Sequence, residues 1–143
     1  MTSLWWVLAM AAEPPVGAEA LARALSSRHP LPCEELEALV PEPVVALRWA
    51  VDHVAQPPWA GMRAAECLTR RHPVEVVADL ERWVTDPALK GLGRQTLALL
   101  PEVPLEVALV VARRSLEGPE PTMAREKLAA DPRLEVRALV VTP

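Results

Sequence analysis

Apolar residues recur three and four positions apart along most of the chain, and proline interrupts the pattern at short intervals. Proline suits the first turn of a helix, where its missing N–H costs nothing, and is disfavoured further in. Each proline break followed by a fresh 3.6-residue pattern therefore predicts a new helix. Ten are expected, over residues 3–13, 16–28, 33–40, 43–55, 58–71, 74–84, 87–100, 104–116, 121–130 and 132–141. The joints are too short for strand crossovers, so the expected fold is all-α with consecutive helices packed as neighbours. Val107 to Ala112 and Val136 to Val141 are β-branched enough to suit buried strands by composition. Length decides for helix over 104–116: Leu105, Ala108, Leu109, Ala112 and Leu116 keep helical spacing, which predicts a mostly apolar helix in the middle of the fold. In the last stretch, Asp131 is placed to cap a helix and Pro132 to start it. Leu134, Ala138 and Val141 then form an apolar stripe with Val136, Leu139 and Val140 beside it, and Arg133, Glu135 and Arg137 are left for the other side.

The breaks themselves repeat. Arg28-His29-Pro30 returns as Arg71-His72-Pro73 after 43 residues, and Pro43, Pro87 and Pro132 are 44 and 45 apart. A period near 44 residues implies an array of three-helix units, each too small to bury its apolar face alone. The expected organisation is one domain over 1–143: an N-terminal capping helix over 1–14, then units at 15–57, 58–103 and 104–143.

The Asp-Pro-x-x-x-Val-Arg run of residues 131–137 resembles the helix start of HEAT and armadillo repeats. Residues 29–40, leading through Pro43 to Arg48-Trp49-Ala50-Val51, are similar to leucine-rich variant repeats, a helical relative. The resemblance implies an α-solenoid and a non-catalytic protein-binding scaffold. The middle copy departs from the pattern, with Leu92 where Arg48 and Arg137 stand in the others, and Gly91 and Gly93 around it. A helix over 87–100 is therefore expected to kink or start late, since each interior Gly costs about 1 kcal/mol relative to Ala.

Composition narrows the function classes. At 51% hydrophobic and 24% charged, with a net charge of −4, the chain reads as globular rather than disordered and is a poor match for bulk coating of nucleic acid. Ile, Phe, Tyr and Asn are absent and Arg outnumbers Lys thirteen to two, a bias of GC-rich codons that strips the Arg preference of functional weight. No apolar run is long enough to span a bilayer. Residues 4–12 resemble a short signal core, but no Lys or Arg precedes them, so a cytoplasmic protein with Cys33 and Cys67 as reduced thiols is expected.

Candidate chemistry is sparse. His29 with Cys33, and Cys67 with His72, fall at equivalent joints, but Pro30 and Pro32 keep the first pair off a common helical face, so no metal is expected. No carboxylate pair has acid–base spacing, Ser3, Ser26, Ser27 and Ser115 lack a nucleophile elbow, and there is no phosphate loop. The chain is accordingly read as no enzyme, with no catalytic residue and no cofactor.

Two surfaces are weighed for binding. Trp5, Trp6 and Trp59 are candidate anchors for another protein or a second copy of the chain, since Trp5 and Trp6 sit on a helix without charge between Thr2 and Glu13. Trp49 and Trp83, in register with apolar partners, are assigned to the core. The alternative is nucleic-acid binding through Arg63, Arg70, Arg71, Arg113 and Arg114, with Trp59 as a stacking aromatic. Some HEAT-like proteins, including a family of alkylpurine DNA glycosylases, hold the DNA backbone on such a face.

Overall fold

The computed structural model describes residues 13–141. Within them the chain is all-helical: nine α-helices, two short 3₁₀ segments and no strand. The β-branched stretches at 107–112 and 136–141 are therefore helical. The helix expected over 3–13 lies outside the described residues. The chain divides into two compact units, one ending at Ala64 and the other beginning at Ala65. That boundary falls inside a continuous helix.

The first unit holds α1 (Ala18–Ser26), α2 (Cys33–Glu37), α3 (Pro43–His53) and the first half of α4 (Pro58–Arg71). Gly17 precedes α1 in the left-handed region, at φ 82°, a conformation that an L side chain rarely adopts. This delays the helix two residues past its expected start. Leu21 and Leu25 of α1, Leu36 of α2, and Ala46, Leu47 and Ala50 of α3 are fully buried, and α1 packs on both α2 and α3. Ala60 and Ala64 bury the inner side of α4 in this unit. Arg63 fastens that helix by donating to the carbonyl oxygens of Leu25 at 2.9 Å and Ser27 at 3.0 Å. These oxygens lie at the end of α1, where helical carbonyls lack partners of their own.

The second unit continues α4 into α5 (Val77–Thr85), a 3₁₀ turn at Pro87–Leu89, α6 (Lys90–Leu99), a second turn at Leu100–Glu102, then α7 (Leu105–Leu116), α8 (Pro121–Ala129) and α9 (Leu134–Val141). The α-helix that was expected over 87–100 does start late, at Lys90. Gly93 has a reason besides tolerance: a Cβ there would stand 2.6 Å from the Trp83 carbonyl oxygen. A Cβ on Gly118 would likewise overlap the carbonyl oxygen of Val84, so two glycines let neighbouring backbone approach the end of α5.

Within the second unit, helix α7 lies against α5, α8 and α9. Its inner face is turned by one position, however. Val107, Ala108, Val111, Ala112 and Ser115 are buried, while Leu105, Leu109 and Leu116 are half-buried.

Helix α9 departs further from expectation. Leu134 is 67% exposed, Val141 79%, and Ala138 is exposed with them, whereas Val136 is fully buried. The cause is Arg133, which was expected to face away. Its guanidinium donates to the Leu100 carbonyl at 2.7 Å, to the Val103 carbonyl, and twice to the Asp131 carboxylate. Residues spaced i, i+3, i+4 and i+7 share a helical face, so fixing Arg133 inward brings Val136, Arg137 and Val140 to that side. Leu134, Ala138 and Val141 are thereby rotated outward. Arg137 confirms the rotation by donating to the Asp131 carbonyl oxygen at 2.9 Å.

Candidate functional site

The residues picked out for binding are differently placed. Trp5 and Trp6 lie outside the described residues. Trp59 occupies the first turn of α4 and is 44% exposed, which suits an anchor more than a core residue. Trp83 is buried, as expected, but Trp49 is only half-buried. Its ring stacks on His53 one turn later, with centroids 5.2 Å apart and planes within 4°, and His53 Nδ1 lies 3.0 Å from the Trp49 carbonyl oxygen.

The arginines proposed as a nucleic-acid face are mostly engaged in holding the protein's own groups. Arg63 bonds two carbonyls within the first unit. In the second unit Arg70 pairs with Glu66 and, at 3.3 Å, with Glu102. Arg114 pairs with Glu117 at 3.0 Å. Arg71 is exposed and has an interaction of its own, and Arg113 is exposed at the end of α7. A guanidinium already matched to a carboxylate contributes little field for phosphate, and exposed pairs of this kind are worth about 0.2–1 kcal/mol.

Hydroxyl groups weighed as nucleophiles satisfy backbone instead. Ser26 Oγ donates to the Ala22 carbonyl and Ser115 Oγ to the Ala112 carbonyl, both at 2.7 Å. The Ser27 hydroxyl accepts from the His29 amide at 3.2 Å. Ser3 lies outside the described residues. These are helix and turn bonds typical of Ser and Thr. Cys33 and Cys67 require a correction: both are disulfide-bonded, so neither is the reduced thiol expected and neither sulfur is available as a metal ligand. Nothing in the local sequence marks a cysteine as disulfide-bonded. Among the described residues no group of three or more His, Cys, Asp and Glu side chains is placed to hold a metal ion.

The two strongest electrostatic arrangements both lie in the second unit. Arg94 reaches across to Glu120 with two parallel bonds, Nε to Oε1 at 2.9 Å and Nη2 to Oε2 at 2.6 Å. The side-chain hydrogen bond from Arg94 lowers the Glu120 pKa, and the reciprocal bond raises that of Arg94. Asp131 is 2% exposed and accepts the Arg133 amide at 2.9 Å, Arg133 Nε at 3.0 Å and Nη2 at 2.9 Å. Its carboxyl pKa is held below 3.8, chiefly by the Arg133 side chain and against the opposing effect of burial. The sequence showed Asp131 as a cap but gave no sign of the clamp, because Leu100 and Val103 are more than 29 positions from Arg133. Both arrangements are saturated by their own partners and leave no open position for chemistry. No protein-family model, no curated protein and no solved structure matches the chain.

Proposed function

We propose that the protein is a non-catalytic interaction module of the helical-repeat type, built from HEAT-like units and able to bind another protein or a second copy of itself. The observation that carries this reading is Trp59, an indole left 44% exposed in the first turn of a helix that buries Ala60, Ala64 and Leu68. Trp supplies large contact area at low entropic cost and is enriched among residues that dominate interfaces. The outward stripe of Leu134, Ala138 and Val141 adds apolar surface of the kind that neighbouring repeat units or partners cover.

The test is solution mass by light scattering at two salt concentrations, for the wild type, Trp59→Ala and the Trp5→Ala/Trp6→Ala double variant. A salt-insensitive dimer that either change converts to a folded monomer supports the module reading. A monomer in every case, with duplex DNA binding that falls steeply as salt rises, would replace it with the arginine-face alternative.

A further inference from the structure

Resting on the interaction reading, we propose that the first unit carries a peptide-docking groove, and that its occupant is a short apolar or proline-bearing peptide segment that presents Arg or Lys. The groove encloses about 540 Å³ and is walled by three prolines, Val16, Val45 and Trp49. Val16 is 77% exposed and Val45 47%, so the walls stand open to solvent. The volume falls within the range of about 300–1,000 Å³ common for sites that enclose a small ligand or a few side chains.

Charge decides the occupant. Glu13 and Glu42 are the two charged residues in the lining, and no Lys or Arg joins them. Both are exposed, and neither carboxylate has a hydrogen-bond or ion-pair partner among the described residues. Several carboxylates elsewhere are matched, Glu19 to Arg23, Glu66 and Glu102 to Arg70, Glu117 to Arg114 and Glu120 to Arg94, whereas the lining of this groove supplies no cation for Glu13 or Glu42. The surrounding charge has the same sign, with seven Asp and Glu against four Arg and no Lys over residues 13–64. An apolar concavity rimmed by two unmatched carboxylates is complementary to an apolar segment with a guanidinium or ammonium group beside it. Proline and aromatic walls favour an extended segment, whose ordering entropy is small.

The test is selection of random twelve-residue displayed peptides on the full-length wild-type protein. Enriched peptides are then resynthesised and titrated against Glu13→Lys/Glu42→Lys, Val45→Asp and Trp59→Ala. The proposal expects enriched peptides to pair Arg or Lys with Pro, Leu, Val or Trp. Their affinity should fall at least about tenfold in the charge-reversed double variant, fall below detection in Val45→Asp, stay unchanged in Trp59→Ala, and weaken as salt rises. Circular dichroism of each variant keeps loss of fold distinct from loss of binding. Absence of enrichment, or binding that survives Glu13→Lys/Glu42→Lys, overturns the proposal. So does a dimer that Val45→Asp dissociates, which assigns the groove to a second copy. Peptide binding gained only in Trp5→Ala/Trp6→Ala would give it to the protein's own leading segment and overturn the proposal too. Peptide binding lost in Trp59→Ala alone would remove the groove while leaving the module reading in place.

Discussion

Three breaks at equivalent places in the sequence period, Glu42-Pro43, Asp86-Pro87 and Asp131-Pro132, do three different things. At the first, helix α3 starts on Pro43 without any side-chain cap, and the Glu42 carboxylate stays at the surface. At the second, Asp86 accepts the Ala88 amide at 2.8 Å and starts a 3₁₀ turn that passes into α6. At the third, the same bond from carboxylate to the amide two residues on is joined by a clamp on Arg133, which ties Asp131 to the carbonyls of Leu100 and Val103. At each break a helix or helical turn begins on the proline or two residues after it. What the acidic residue does there depends on its length and on whether a cation stands two positions later, as Arg133 does after Asp131 and Ala88 does not after Asp86.

Of the three breaks, the third should be the most sensitive to substitution. Asp131→Ala leaves the Arg133 amide without its acceptor and a partly buried guanidinium without its counter-ion, and is expected to cost about 3 kcal/mol. Urea unfolding of the variant against wild type measures it. Acid provides a second handle on the same clamp. Because folding lowers the Asp131 pKa below 3.8, its contribution is complete above the unfolded-state value and is lost as pH falls through the folded one. The stability difference between wild type and Asp131→Asn should therefore be flat near neutrality and shrink below about pH 4. A difference that stayed constant down to pH 2 would mean that the clamp does not depend on the charge.

The middle break is sharpened by Gly93. Helix propensity alone makes Gly93→Ala favourable by about 1 kcal/mol, but the added methyl meets the Trp83 carbonyl at 2.6 Å. Backbone cannot yield as a side-chain tip does, so a net loss of about 2 kcal/mol is expected by thermal or urea unfolding. Gly91→Ala meets nothing within 4 Å and is the matched control, expected to stabilise. Asp86→Ala should cost about 1 kcal/mol, the usual worth of a helix-start cap, and so fall well short of Asp131→Ala.

Most of the secondary structure was legible in the sequence because proline and helical periodicity are local signals. The expected helices over 43–55, 58–71, 104–116 and 121–130 match α3, α4, α7 and α8 to within two residues at either end. Rotation of a helix about its axis was less legible. In α9 the stripe of Leu134, Ala138 and Val141 is as regular as an inner face should be, yet one long-range guanidinium contact turns it outward. The same limit hid the candidate groove. Spacing places Trp49 with the core, and the clue that it lines a surface is Glu42, a carboxylate without a partner among the described residues where the other two breaks carry Asp86 and Asp131. The disulfide state of Cys33 and Cys67 was illegible for a related reason, since nothing in the local sequence marks a cysteine as bonded.

The smallest expected effect on stability is also the one that separates the breaks by purpose. Glu42 is exposed, caps nothing and pairs with no cation among the described residues, so Glu42→Ala should change unfolding free energy by no more than about 0.5 kcal/mol. Asp86 and Asp131 stabilise the chain through bonds that alanine cannot make. If Glu42 is retained for the groove, its alanine variant should unfold like wild type while binding basic apolar peptides more weakly. A loss comparable to that of Asp86→Ala would instead place Glu42 among the helix-start caps, and the three breaks would share one structural role.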